Sequence, residues 1–187
     1  MLSKGDAGER IDKEHEIHNR IEKIISEIYG QDIKGRIEGI KWVIKIKHGT
    51  FLVDIMHPIG KDYVDVAYKF DLDEEPKDLM MKSISGSVES RELEHDLRSV
   101  LTFPNIFYNI HLEESENGYN VPCGFSVAVS LFPFSGELSI DNLSKDIQDV
   151  VSVSTLGISF LGLRLTSVKS FMEFLKELNS SPGDMYQ

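Results

Sequence analysis

The sequence predicts an α+β fold, an antiparallel sheet of about five strands with helices packed mainly on one face, in the order α-βββ-α-ββ-α-α. Three observations carry this expectation. Ile17, Ile21, Ile24, Ile25 and Ile28 recur at helical spacing near the start of the chain. The apolar period then falls to two over three consecutive segments between Ile40 and Phe70. A second group of alternating residues, from Ile106 to Leu131, is bracketed by further helical stripes. The chain has 187 residues, 41% of them hydrophobic and 27% charged, enough for one domain with its own core. A single domain is expected over residues 10–180, with flexible tails at 1–9 and 181–187.

The first helix carries the isoleucine stripe, and Glu14, Glu16, Arg20, Glu22, Lys23 and Glu27 fill its remaining surface. Gly30 is a natural C-terminal stop. In the first strand Ile40, Trp42, Ile44 and Ile46 alternate with Lys41, Val43, Lys45 and Lys47. His48-Gly49 suits a two-residue turn, because glycine reaches positive φ without strain. Pairing Lys47 with Thr50 then sets Ile46 opposite Phe51, Ile44 opposite Val53 and Trp42 opposite Ile55, with every apolar parity in agreement. After the loop Pro58-Ile59-Gly60-Lys61, a third strand runs through Val64, Val66, Tyr68 and Phe70. Pairing His57 with Asp62 keeps its large apolar residues on the same face.

Pro76 forbids continuation of that strand, and a short helical turn is expected over Lys77 to Lys82. Leu93, Leu97, Val100 and Leu101 mark the next helix, with Ser87 or Ser90 as a cap. Ile106, Tyr108, Ile110 and Leu112 alternate before the polar loop around Asn117-Gly118. Phe125, Val127, Val129 and Leu131 then alternate with Ser126, Ala128 and Ser130. The chain has no charge from Val121 to Ser135, so this strand belongs in the interior of the sheet. Ser139 opens a helix through Leu143, Ile147, Val150 and Val151. The run from Leu156 to Leu165 fits helix or extended chain, and Gly157 and Gly162 favour a break. A final helix is expected over Val168 to Leu178.

This order of elements, over roughly residues 10–160, resembles the type III secretion chaperones and the YbjN-like proteins. Those are α+β molecules in which helices pack beside an antiparallel sheet and two copies usually associate. The likeness lies in the order of elements and not in a signature motif, and the apolar C-terminal helix is an addition to it. An uncharacterised archaeal family is a further expectation. The resemblance implies protein binding, as a homodimer, in place of chemistry.

The composition excludes several functions. With 31 acidic and 20 basic residues the formal net charge is -11, which disfavours polyanionic partners, both nucleic acid and anionic membrane. The one basic concentration, Lys34, Arg36, Lys41, Lys45 and Lys47, surrounds a Trp42 of core parity and makes a poor base-stacking platform. Cys123 is the single cysteine, so neither an intramolecular disulfide nor a multi-cysteine metal site is possible. It sits in an uncharged stretch without the positive surroundings that a reactive thiolate needs. No apolar leader precedes the first helix, and the longest uncharged stretch, Val150 to Leu163, is shorter than a membrane span. A cytoplasmic location is expected, with no cofactor and no resident metal. Glu14, His15 and His18 have ligand spacing but lie off the isoleucine stripe, where a solvated face is the usual outcome. Gly35-Arg36-Ile37-Glu38-Gly39 is no phosphate loop, and Gly157 to Gly162 is no nucleophile elbow.

Two groups of residues remain as candidates. The registers above set Asp54 opposite Asp65, a carboxylate pair able to share a proton or attract a cation. The face turned away from the large apolar set carries Val43, Leu52, Met56, Tyr63, Phe107, Ser126, Ala128 and Ser130. Left bare, such an area exceeds the patches usual on soluble monomers. We therefore expect a second copy or another protein to dock there, or the C-terminal helix to cover it. The alternative function is a small-molecule or metal-dependent enzyme with its site on the same face.

Overall fold

The computed structural model describes residues 4–29, 33–35, 38–84, 86–133 and 138–180, with side chains for 13–29, 38–84, 86–133 and 138–170. The elements are α1 (Lys4–Tyr29), β1 (Ile33–Gly35), β2 (Ile40–His48), β3 (Phe51–Pro58), β4 (Val64–Asp71), α2 (Glu74–Ser83), α3 (Ser87–Leu101), β5 (Phe107–Glu114), β6 (Asn120–Leu131) and α4 (Ile140–Ser180). The strands form one sheet in the order β1-β2-β3-β4-β6-β5. The class is α+β with an antiparallel sheet, as the periodicities predict. The uncharged strand β6 lies inside the sheet and β5 at its edge. The three-residue β1 had no signal in the sequence, because so short a segment shows no period.

The chain divides into two compact units. The first comprises residues 1–68, 103–107 and 127–153. Its core combines Ile21 and Ile25 of α1, Ile44, Ile46, Val53, Ile55, Val64 and Val66 of the meander, Val127 and Val129 of β6, and Leu143, Ile147 and Val150 of α4, all buried. Fully burying one such side chain is worth about 1.5–3 kcal/mol, so the alternation is enforced residue by residue. Ser139 caps α4 as expected, its Oγ accepting from the Asn142 amide at 3.1 Å. The α1 helix begins at Lys4, ahead of the isoleucine stripe and inside the expected tail.

Both hairpin registers differ from expectation by the same step. Ile46 faces Val53 and Ile44 faces Ile55, so the turn is Gly49-Thr50 and not His48-Gly49. Gly49 takes φ +62 at the first turn position, where a hairpin needs glycine. Across β3 and β4, Ile55 faces Val66 and Met56 faces Asp65. A shift of two leaves every side chain on its face, which is why parity alone could not detect it. The shift separates the expected carboxylate pair: Asp54 faces Ala67, and Asp65 is only its diagonal neighbour.

The second unit comprises residues 69–102, 108–126 and 154–187. Pro76 lies in the first turn of α2, where its missing N–H costs nothing. No serine side chain caps α3; the Ser90 hydroxyl is buried and donates to the Asn120 carbonyl. Leu93, Leu97 and Leu101 of α3 are buried, as are Phe125 and Leu161.

The α4 helix runs unbroken through Gly157 and Gly162, against the expected break and separate final helix. At Gly157 an added Cβ would stand 2.7 Å from the Phe125 ring and 3.0 Å from Leu101. That glycine lets the helix approach its neighbours closely and does not end it. Side chains of 171–180 and all of 181–187 lie outside the described residues. Unbroken, the Ile140–Ser170 segment is long and apolar enough to cross a membrane, and 28% of its most apolar window is buried. Within that segment Val153, Gly157 and Leu161 are buried while Leu163 is 70% exposed.

Candidate functional site

In the first unit, the face of the sheet opposite the core holds a groove of about 570 Å³. Tyr63 lines it from just ahead of β4, Asp65 from β4, Phe107 from β5, and Ala128 and Ser130 from β6. Asn105 and Phe132 complete it. Strand alternation explains the composition: Val127, Val129 and Leu131 go to the core, so Ala128, Ser130 and Phe132 emerge on the other side. Asn105 adopts φ +64, alone among the described non-glycine residues, a conformation that asparagine tolerates better than most.

The groove is aromatic around one carboxylate. The Tyr63 and Phe132 rings meet edge to face with centroids 6.1 Å apart, and Phe107 is 66% exposed. The Ser130 hydroxyl donates to Asp65 Oδ1 at 2.6 Å. Burial pushes the Asp65 carboxyl above its ordinary value, and the Ser130 hydrogen bond offsets only part of that. Asp54, its expected partner, instead accepts from Lys45 Nζ at 2.7 and 2.9 Å. That ion pair spans the β2–β3 ladder, while Ala67 takes the β3–β4 position opposite Asp54 where Asp65 was expected.

Of the expected docking face, Tyr63, Phe107, Ala128 and Ser130 therefore gather at one groove. Leu52 is 45% exposed elsewhere on the face, and Val43 and Met56 face each other across the β2–β3 ladder, Val43 being buried. Asn105 and Phe132 were missed. Phe132 continues the spacing of Ala128 and Ser130, so its place was readable; the backbone at Asn105 was not.

Ser126 belongs to a different constellation, within the second unit. Asp71 Oδ1 and His111 Nδ1 are 2.5 Å apart, and His111 Nε2 is 3.3 Å from the Ser126 hydroxyl. Lys69 Nζ contacts the other Asp71 oxygen at 2.7 Å. Burial acts against ionisation of Asp71, but hydrogen bonds from Lys69 and His111, with their charges, hold its carboxyl below the ordinary range. Gly124 makes the space: an added Cβ would stand 2.5 Å from Asp71 Oδ1 and 2.4 Å from the Phe70 carbonyl. This acid–imidazole–hydroxyl line orients the three groups. Ser126 lies on a strand flanked on both sides, whose amides serve the ladders and not a developing oxyanion. The line therefore ties strands together more than it prepares a nucleophile.

The other candidates find structural partners. Glu14 pairs with Lys41, and His18 stacks on Trp42 with centroids 4.7 Å apart. His57 is buried with Nε2 2.9 Å from the Lys61 carbonyl, as its core parity suggests. Cys123 is buried, and desolvation, with the Glu113 charge behind it, raises its thiol to about 11. Lys34 and Arg36 of the basic stretch have no described side chains. Among the described residues no group of three or more metal-ligating side chains converges.

Comparison with protein-family models and with curated proteins returns no match. A crystal structure of an uncharacterized protein from Methanothermobacter thermautotrophicus is similar in fold, with a TM-score of 0.65 and 19% identity over 79% of this chain and 97% of that one.

Proposed function

We propose that the protein is a non-enzymatic binding module, chaperone-like in its mode of action, that takes a second copy of itself or another protein on the open face of its sheet. The groove bounded by Tyr63, Phe107, Ala128 and Phe132 carries this reading, because it exposes aromatic surface around a small residue that permits close approach. Exposed aromatic side chains beside small ones are what interface cores use. The resemblance of the sequence-based element order to that of the secretion chaperones points the same way, as does the net charge of -11, which turns polyanionic partners away.

Ala128→Glu tests the reading. A charge at a solvent-facing site shifts stability by no more than about 0.5 kcal/mol. The expected result is an unchanged melting temperature with loss of self-association, read by light scattering, or of a co-purifying protein. A variant that keeps both its assembly state and its melting temperature would sink the proposal.

A further inference from the structure

The groove contains a carboxylate with no cation beside it among the described residues, and the chemistry of its walls restricts what can lie there. Two lysines of the meander are committed elsewhere, Lys45 to Asp54 at 2.7 Å and Lys69 to Asp71 at 2.7 Å. Asp65 has the Ser130 hydroxyl alone as its described partner. An anion would meet repulsion, and a wholly apolar ligand would strip water from the carboxylate with nothing in return. A hard metal ion seeks about six to eight oxygens, and this aromatic lining supplies few. An organic cation meets every condition at once, since its charge pairs with Asp65 and its C–H surface lies on the faces of Tyr63, Phe107 and Phe132.

We propose that the groove seats the ammonium group of a lysine presented by a partner protein, with apolar residues flanking it. This rests on the binding-module reading and names what is bound. A protein segment is favoured over a free amine because Phe107 and Phe132, 66% and 47% exposed, offer an apolar rim that a small amine would leave uncovered.

The probes are three: a blocked pentapeptide with lysine between leucines, the same peptide with norleucine in place of lysine, and 1,5-diaminopentane. Binding is read by calorimetry and by backbone NMR shifts of the full chain, at neutral pH and about 150 mM salt to screen the overall charge. The lysine peptide should bind about tenfold more tightly than the norleucine peptide, the scale of one cation–aromatic and carboxylate contact. Asp65→Asn should abolish that preference, while Glu92→Gln on the exposed side of α3, equal in charge change, should keep it. Equal binding of the two peptides overturns the ammonium assignment and leaves the docking face standing. No binding of the lysine peptide overturns it outright, with Ala128→Glu judging the face independently. Diaminopentane binding as tightly as the lysine peptide overturns the partner segment as the source.

Discussion

In the unfolded chain the Asp65 carboxyl ionises near its ordinary value of 3.8, whereas burial in the groove keeps it protonated to higher pH in the folded protein. Between those two values the folded state binds more protons than the unfolded state. Stability therefore falls as pH rises through that window, and the loss is complete above it. At neutral pH Asp65 is thus a cost to the fold. Asp65→Asn retains an acceptor for the Ser130 hydroxyl and removes the charge. The variant should melt higher than the parent at neutral pH, by about 2–4 °C for each kcal/mol relieved. It should melt with the parent well below pH 3.8, where the carboxyl is neutral in both states. Equal melting temperatures across the whole range would mean that the carboxylate is not desolvated. A side chain that weakens its own domain is a mark of a binding position, since nothing in packing asks for it. Sequence reasoning found Asp65 by parity but gave it the wrong neighbour. Face depends on counting by two, whereas the neighbour depends on the turn.

At the scale of an element, α4 carries two glycines in one helix with opposite roles. Gly157 faces Phe125 and Leu101 with no room for a methyl group, and Gly162 has nothing within 4 Å of its Cβ direction. Gly157→Ala should destabilise by about 1–3 kcal/mol through overpacking. Gly162→Ala should stabilise by up to about 1 kcal/mol through helix propensity. Chemical denaturation of the two variants checks the contrast, and equal effects of one sign would contradict the packing described. From sequence both glycines looked like helix breakers. What distinguishes them is whether another element lies against each, and a local period carries no such information. The strands were more legible, because alternation is enforced by burial at each residue. Even there Gly49-Thr50 displaced both the expected turn and the pairing that follows from it.

For the whole molecule the balance of 31 acidic against 20 basic residues sets a background of self-repulsion. Many lysines on the sheet are spent locally, Lys41 on Glu14 and Lys45 on Asp54, so the excess acid is spread over the remaining surface. Raising salt from about 10 to 150 mM shortens the screening length from about 30 to 8 Å and should raise the melting temperature. A fall would show that the ion pairs outweigh the repulsion. Composition made this property legible at once, and the periods made the fold class legible. The Asp71–His111 contact was not. It requires knowing that β6 inserts between β4 and β5, an order that no local pattern records.

That contact has a consequence for how the sheet opens. An edge strand such as β5 is held by one ladder and would ordinarily fray first, exposing its amides to exchange with solvent. Here His111 reaches over Gly124 to Asp71, so β5 is fastened to a strand with which it shares no backbone hydrogen bond. Peeling β5 away must therefore break the His111–Asp71 contact as well as the ladder to β6. The Asp71 carboxylate is held below its ordinary range, so its share of the fastening is lost as acid brings the pH down through that lowered value. Acid would thus loosen the hold on the edge of the sheet. The side-chain link gives the molecule a pH-dependent seam that a backbone ladder, indifferent to protons, could not provide.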